Sequence, residues 1–277
     1  MPTFAFWNVN KNVSAENISA FAHERDVDIL VLAENEIPVS KLVSQINTKS
    51  NRPYFQDIMI SDRLTIFTRF QPGNSSLIQN KPGVVIRHYQ MPLGESFLVV
   101  AVHLSSKLRK KTEDQSQSCA RLARYINKAE AKVGHTRTVV IGDLNMNPFE
   151  YGVVGSEGLH AVMDRRIAER GSRTLHEEER PFFYNPMWST LGDLDSKPPG
   201  TYYYDNGSEV NYYWHAFDQV LIRPALLDFM PHDAMKVITE LKGQSLLTEA
   251  GRPNKKMSDH LPIVCHLNEI MEKSNAN

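Results

Sequence analysis

The sequence has few cysteines, and it does not begin with a basic segment followed by a long apolar one. Its 277 residues include two cysteines, Cys119 and Cys265, which are too few for a disulfide framework and lack metal-ligand spacing. We therefore expect both thiols to be free, as in a reducing compartment. The first residues do not have the pattern of a signal peptide. Together these absences predict a cytoplasmic location.

Long apolar runs and a strong net charge are also lacking. The longest apolar stretches, such as residues 97–102, have the length of a strand and are far short of a membrane span, so no membrane partner is expected. A net charge of −1 gives no global case for nucleic-acid binding, although a local basic groove is compatible with a neutral total. The chain is long enough to bury a core without metal or disulfide staples.

The chain does contain strand-like and helix-like segments in alternation. Short apolar runs punctuated by Pro and Gly predict strands at residues 3–9, 28–33, 54–60, 64–69, 84–89, 97–102, 138–141, 217–222, 235–239 and after 260. Helices are expected after Ser14, which offers an N-cap oxygen, around residues 42–46, and at 113–132. This order predicts one α/β domain over residues 1–277 with stacked sheets and an irregular insertion around 164–210.

Polar side chains occur where the apolar strands end or begin. These positions are Asn8, Glu34, His103, Asp143, Asn145, Asp218, Asp259 and His260. Taken singly, an Asp or Asn at a strand end is usually a turn former and a His is usually packed. The set is more informative, because strand ends at one edge of a sheet gather groups from distant parts of the chain.

The chemistry of this set points to phosphate. Carboxylate oxygens with an amide oxygen are hard ligands suited to Mg²⁺ or Mn²⁺. Waters and a substrate phosphate complete the octahedral coordination of such an ion. The two histidines offer proton transfer or hydrogen bonds to phosphate oxygens. An Asp paired with a His fixes its tautomer and favours its charged form.

The motifs that carry these residues resemble a known superfamily. In chain order they are WNV at 7–9, DILVLAE ending at Glu34, HL at 103–104, GDLN at 142–145, FDQVLI around Asp218 and SDHLPI at 258–263. They resemble the endonuclease/exonuclease/phosphatase superfamily of deoxyribonuclease I-like and exonuclease III-like metal-dependent phosphodiesterases. The resemblance spans residues 6–264. It implies a four-layer α/β sandwich with two stacked, mostly antiparallel β-sheets.

The resemblance also implies a role for each site residue. Glu34 would bind Mg²⁺, or Mn²⁺, with Asn8 and Asp259 as further ligands or close neighbours. The remaining residues would act on water and phosphate: Asp143 as the group that orients or deprotonates the water, Asn145 and His103 as phosphate contacts, and His260, held by Asp218, as a phosphate donor or proton carrier.

Two departures from the superfamily pattern leave alternatives open. Ala33 stands where the family usually has Gln before its metal-binding Glu, and Glu36 would share a strand face with Glu34 and could exchange roles with it. His215 stands near the strand Asp where many members have Arg, so a substrate contact by such an Arg is not expected here.

Two further stretches bear on the substrate. The basic run after His103 includes Lys107, Arg109 and Lys110, which is either a solvated charge run or a contact to a nucleic-acid backbone. An aromatic hairpin leads into Asp218 and contains Tyr202–Tyr204, Tyr212, Tyr213 and Trp214. It either packs internally or, at the rim of the site, stacks on bases or shapes a pocket for an extruded nucleotide.

The favoured function is metal-dependent hydrolysis of phosphodiester bonds in nucleic acid, DNA rather than RNA, by an endonuclease or exonuclease. The alternative is a phosphatase or phosphodiesterase acting on an inositol phosphate, a sphingomyelin-like headgroup or another small phosphoester. A third reading, a binding module without activity, conflicts with the complete motif set. Nucleic acid is the expected partner, and nothing in the sequence points to a protein partner.

Overall fold

The computed structural model describes residues 2–48, 50–57, 63–91, 94–106, 112–193, 197–205, 207 and 209–269. Its strands are β1 (Thr3–Asn8), β2 (Ile29–Ala33), β3 (Phe55–Gln56), β4 (Leu64–Thr68), β5 (Ser75–Lys81), β6 (Val84–Tyr89), β7 (Phe97–His103), β8 (Thr138–Asp143), β9 (Ala161–Val162), β10 (Ser172–Leu175), β11 (Glu178–Pro181), β12 (Phe183–Tyr184), β13 (Tyr202–Tyr203), β14 (Trp214–His215), β15 (Asp218–Ile222), β16 (Met235–Val237), β17 (Glu240–Leu241), β18 (Gln244–Ser245) and β19 (Ile263–His266). Its α-helices are α1 (Ala15–Glu24), α2 (Val39–Asn47), α3 (Thr112–Val133), α4 (Tyr151–Val154) and α5 (Arg165–Ala168). Short 3₁₀ turns lie at Pro72–Asn74, Pro186–Thr190 and Pro224–Phe229.

Two large sheets dominate the molecule. The first has six strands in the order β16-β19-β1-β2-β4-β3, and the second has seven in the order β5-β6-β7-β8-β15-β12-β9. Only the neighbours β1–β2, β7–β8 and β9–β12 run parallel among the described pairs of these sheets. The expectation of two mostly antiparallel sheets is confirmed.

Alternation along the strands explains how the sheets stack. In β1, Phe4 and Phe6 point into the core between the sheets, whereas Ala5 and Trp7 point to the other face. Helices α1 and α2 cover that outer face of the first sheet with side chains such as Phe21. Because successive strand residues face opposite sides, each sheet contributes one face to the shared core and the other to a helical layer.

Helix α3 forms the matching outer layer of the second sheet. Its Cys119, Leu122 and Ile126 pack against the outward-facing apolar side chains of β6, β7, β8 and β15. The order helix, sheet, sheet, helix is the four-layer sandwich that the motifs predicted. No helix in the described part of the chain is both long and apolar enough to span a bilayer.

Most predicted elements lie within a few residues of the observed ones. Ser14 is the N-cap of α1 and its hydroxyl accepts from the Asn17 amide, as expected. Strand β5 was not predicted, because its sequence SSLIQNK is polar and it lies at a sheet edge. Of the strand expected at 54–60, Phe55–Gln56 is observed, and residues 58–60 lie outside the described part.

The stretch around 164–210 contains regular structure that sequence patterns did not reveal. It holds α5, the hairpin β10–β11 and strand β12, which joins the second sheet beside β15. The predicted aromatic hairpin is present as β13 and β14, with Tyr203 opposite Trp214. Both cysteines are free and buried, as expected.

Candidate active site

Strand direction brings the predicted polar residues together at one edge of the sandwich. In the parallel pair β1–β2, Asn8 lies opposite Ala33, so Glu34 follows directly beyond it. In the parallel pair β7–β8, His103 lies opposite Asp143. Strand β15 runs antiparallel to β8 and places its first residue, Asp218, opposite Asp143. Carboxyl ends of parallel strands and amino ends of antiparallel neighbours meet at the same edge.

Asp143, Asp218 and His260 form the buried centre of this edge. One carboxylate oxygen of each Asp and one ring nitrogen of His260 all lie within 4.8 Å of one another. Nδ1 of His260 is 2.8 Å from Oδ2 of Asp218 and 3.1 Å from Oδ1. Because a carboxylate only accepts, Nδ1 is the donor, and the Asp218–His260 contact is a hydrogen bond.

The charges of this centre are strongly coupled. Burial raises the pKa of Asp143, and the nearby Asp218 carboxylate raises it further, to about 6. Burial alone would lower the pKa of His260, but the charge and hydrogen bond of Asp218 outweigh it and raise that pKa to about 10. At neutral pH His260 is therefore an imidazolium held by Asp218, beside an Asp143 carboxylate poised to take up a proton.

Glu34, His103 and Asn8 lie beside this centre. Nε2 of His103 is 3.6 Å from Oε1 of Glu34 and 3.9 Å from Oδ2 of Asp143. Nδ2 of Asn8 is 3.4 Å from both carboxylates and links them. The Glu34 side chain is 34% exposed, whereas that of Asp143 is 2% exposed. Glu34 is therefore more accessible to solvent than either Asp143 or Asp218.

The donor set of this cluster fits a hard divalent cation. Glu34 and Asp143 offer carboxylate oxygens beside the Asp218–His260 pair, and no Lys or Arg within the described ranges forms an ion pair with either. Nδ1 of His103 is buried without a hydrogen-bond partner among those residues. The ligand atoms of Asp143, Asp218 and His260 are also close enough together to hold a metal ion. Nδ1 of His260, however, already donates a hydrogen bond to Asp218. The Glu34 side of the cluster therefore fits a cation better.

The segment that carries Asp259 and His260 is fixed to β1. The Ser258 hydroxyl donates to the Asn8 carbonyl at 2.6 Å and accepts from the His260 amide at 3.0 Å. Nε1 of Trp7 donates to the His260 carbonyl. Asp259 is half-buried, between the two fixed residues. The SDH sequence thus works as a hydrogen-bonded clamp that sets the position of the imidazole.

Asn145 lies in the turn after β8 with a left-handed backbone, at φ 52°. Its amide donates to Oδ1 of Asp143 at 2.7 Å, and its side-chain Nδ2 donates to the Leu104 carbonyl at 2.9 Å. Nε2 of Gln115, on α3, donates to the Asn145 carbonyl. Asn145 therefore orients Asp143, and one of the two N–H groups of its side-chain amide is engaged within the fold.

The alternative role for Glu36 receives no support from its position. Glu34 has a left-handed backbone at φ 54°, so the strand ends there and Glu36 does not share a strand face with it. Glu36 is exposed and pairs with Lys11 at 2.7 Å.

Of the predicted substrate residues, the structure describes Tyr213 and Trp214, and these two pack away from the buried cluster. Lys107, Arg109 and Lys110 lie outside the described residues. The rings of Tyr213 and Trp214 contact Tyr203, and Trp214 packs against the outer layer of the first sheet.

The structure adds Thr201 to the site and identifies Tyr202 as a ring of the aromatic hairpin that contacts His260. The Thr201 hydroxyl accepts from the Asp218 amide, and its carbonyl accepts from the Leu261 amide. The Tyr202 ring lies 4.6 Å from the His260 ring, between centroids. Burial and then the Asp259 charge raise the pKa of Tyr202 to about 12, so its hydroxyl stays protonated. The aromatic run TYYY was the only signal, and its alternation did not say which ring faces the site.

Comparison with known proteins gives structural likenesses only. No protein-family profile and no curated protein sequence matches the chain. An endonuclease/exonuclease/phosphatase family protein from Leptotrichia buccalis is 12% identical, with 97% of this chain and 100% of that chain covered at a TM-score of 0.56. An AP endonuclease from Archaeoglobus fulgidus is 15% identical over 96% and 99% of the two chains, at 0.54. TDP2 of D. rerio, in complex with a single-strand DNA product, is 17% identical over 96% and 98%, at 0.52. These likenesses confirm the resemblance seen in the motifs and show that the chain has the deoxyribonuclease I-like fold of the endonuclease/exonuclease/phosphatase proteins.

Proposed function

We propose that this protein hydrolyses phosphodiester bonds in nucleic acid, with DNA favoured, by metal-dependent attack of water on the scissile phosphate. The observation that carries the proposal is the Asp218–His260 hydrogen bond beside Asp143, all buried at the sheet edge that also holds Glu34. A protonated donor, a carboxylate with a pKa near 6 and an open carboxylate stand together, as phosphoryl transfer to water requires.

Each residue has a role that follows from its surroundings. Asp143 accepts a proton from the attacking water, because burial and Asp218 raise the basicity of its carboxylate. The His260 imidazolium donates a hydrogen bond to a phosphate oxygen and stabilises its charge, since Asp218 keeps the ring protonated. His103 lies on the opposite side of Asp143, next to Glu34, where it contacts the phosphate or the leaving oxygen.

Glu34, with Asn8 and Asp259 nearby, would hold Mg²⁺ or Mn²⁺. A divalent cation bound there supplies Lewis-acid stabilisation of charge on phosphate oxygens. The Asn8 side-chain amide then fixes the distance between Glu34, which would bind the cation, and Asp143, which accepts the proton from water.

The titles of structural neighbours support nucleic acid as the substrate. One is an AP endonuclease and another is TDP2 in complex with a single-strand DNA product. These proteins share only the fold with this chain, so the choice of polymer is for experiment.

The test is hydrolysis by the purified chain of plasmid DNA, single-stranded DNA, RNA, an inositol phosphate and bis(p-nitrophenyl) phosphate, with Mg²⁺ or Mn²⁺ and with EDTA. We expect cleavage of DNA that EDTA abolishes. Asp143→Asn and His260→Gln should each lower kcat at least about 100-fold, whereas the matched change Glu36→Gln should leave it unchanged. Cleavage of small phosphoesters alone would exclude the nuclease proposal, and full activity in EDTA would exclude the metal.

A further inference from the structure

A row of aromatic rings leads away from His260 across the surface. We call it the aromatic strip, and it consists of Tyr202, Phe217, His215, Tyr212, Phe149 and Trp188. The residues come from four separate segments of the chain, the hairpin β13–β14, the residue before β15, the turn after β8 and the 3₁₀ turn at Pro186–Thr190. Tertiary structure, rather than a local repeat, brings them together.

The strip begins at the catalytic centre. Tyr202 lies 4.6 Å from His260 and 5.4 Å from Phe217, and the Tyr202 and Phe217 rings are within 25° of parallel. Phe217 lies 4.6 Å from His215, at 26°. A stack of aromatic rings therefore starts where the scissile phosphate is expected to lie.

The outer half of the strip leads into solvent, with neighbouring rings at 60° to 86° to one another rather than stacked. The ring of Tyr212 lies 6.2 Å from His215 and 5.4 Å from Phe149, and Phe149 lies 6.2 Å from Trp188. Tyr212 is 57% exposed and Phe149 is 37% exposed. Large aromatic side chains exposed in a continuous row mark an interaction surface.

The two faces of the hairpin have different environments. Tyr203 and Trp214 face away from the strip, pack against each other and receive the Arg252 guanidinium over the Tyr203 ring. Trp214 also packs on the outer layer of the first sheet. One hairpin face thus packs against the first sheet, whereas the other face, with Tyr202 and His215, belongs to the strip.

We propose that the aromatic strip binds the unpaired bases of a single-stranded nucleic acid whose scissile phosphate lies at His260. Each base of an unpaired strand offers a π-face, so a row of side-chain rings binds successive bases without reading their sequence. In a duplex the bases stack on one another and leave no face for the rings. Continuity of the strip with the catalytic centre favours this occupant over a protein partner. The position of the phosphate rests on the proposed function.

The test compares two fluorescein-labelled strands of equal length, oligothymidylate and a base-free strand of tetrahydrofuran nucleotides. Binding is measured by fluorescence anisotropy in EDTA, with the same duplex DNA as a third probe. We expect Tyr212→Ala and Phe149→Ala to weaken oligothymidylate binding at least about 5-fold each and to leave base-free and duplex binding within about 2-fold of the unsubstituted protein.

Matched variants separate ring stacking from structural damage. Tyr212→Phe and Phe149→Tyr keep a ring and should keep the affinity for oligothymidylate. Tyr151→Ala removes a ring that is 66% exposed but outside the strip, and it should have no effect. Equal losses on base-free and base-containing strands, or an equal loss in Tyr151→Ala, would overturn the proposal.

Failure of this proposal is distinguishable from failure of the proposed function. If the protein cleaves bis(p-nitrophenyl) phosphate in a metal-dependent way but the strip variants bind oligothymidylate normally, the aromatic-strip proposal alone is refuted. If the protein cleaves no diester but the strip variants selectively lose oligothymidylate binding, the proposed function is refuted and the aromatic-strip proposal stands.

Discussion

Asp143 is the residue on which charge, burial and chemistry meet. It is 1% exposed, lies opposite Asp218 in the neighbouring strand and accepts a hydrogen bond from the Asn145 amide. Carboxylate oxygens of Asp143 and Asp218 lie within 4.8 Å of each other, and two buried carboxylates this close repel each other when both are ionised. The positive charge of His260 offsets part of this repulsion. Ionisation of Asp143 therefore costs free energy in the folded protein.

This strain predicts a stability change with a definite sign. The folded-state pKa of Asp143, about 6, is above its ordinary value of 3.8, so the native state gains from protonation at low pH and loses that gain as pH rises through 6. Asp143→Asn lacks this loss. We expect its free energy of unfolding, relative to the unsubstituted protein, to rise by about 1–3 kcal/mol between pH 4 and pH 7.5.

Urea denaturation in EDTA at the two pH values measures this difference. His260, with a pKa of about 10, stays protonated in the native state over this range, and its titration in the unfolded state is common to both proteins, so its contribution cancels in the difference. Asp233→Asn, at an exposed carboxylate, is the control and should show no such change. A pH-independent difference for Asp143→Asn would contradict the assigned strain.

At the scale of elements, two parallel strand pairs define the site. The pair β1–β2 delivers Asn8 and Glu34, and β7–β8 delivers His103 and Asp143. The close approach of β7 and β8 depends on Gly142, which has φ 146° and sits where a Cβ atom would lie 2.0 Å from the Val102 carbonyl oxygen. The glycine of the GDLN motif is thus required for the packing of β8 against β7, directly before Asp143.

Gly142→Ala should therefore damage both fold and site. The methyl group meets backbone rather than a flexible side chain, so β8 must move away from β7 and carry Asp143 with it. We expect a loss of at least about 2 kcal/mol in the free energy of unfolding, with lower diesterase activity in the folded fraction. Gly73→Ala, with nothing within 4 Å of its Cβ position, should change neither by a measurable amount. Denaturation and kcat on the same samples decide; equal stability of the two variants would refute the packing argument.

At the scale of the whole molecule, stability and chemistry reside at different ends of the same strands. The core between the sheets contains Phe4 and Phe97, whose rings meet edge to face at 5.7 Å. Phe97 begins β7 and His103 ends it, about 20 Å along the strand. Packing between the sheets holds the strands in place, and their far ends then hold the site.

Phe97→Ala should separate these two properties. A large cavity between the sheets should cost about 3–5 kcal/mol in the free energy of unfolding, while kcat of the folded protein stays within about 2-fold. Leu77→Ala, at a large apolar side chain that is 42% exposed on β5, is the surface control and should cost less than about 1 kcal/mol. Denaturant melts and steady-state rates measure both, and a proportional loss of kcat in Phe97→Ala would show that the core and the site are coupled.

The sequence by itself determined most strands of the two large sheets, the helices α1 to α3 and which polar residues lie at strand ends. Short-range rules suffice for these features: apolar runs of strand length, the Ser14 cap and the alternation in β1 depend on residues a few positions apart. The resemblance of the motifs then supplied the fold and a role for each residue, because the pattern of residues at strand ends is itself a local signal.

Tertiary structure alone decided which of these residues meet and what they do to one another. Sequence patterns place Asp218 and His260 at strand ends but carry no information on the 2.8 Å contact between them or on the burial that shifts the pKa of Asp143. The same holds for Tyr202, whose ring reaches His260 while that of Tyr203 faces away. Both results depend on contacts between residues far apart in the chain, and burial and Coulomb interactions act through space rather than along the sequence.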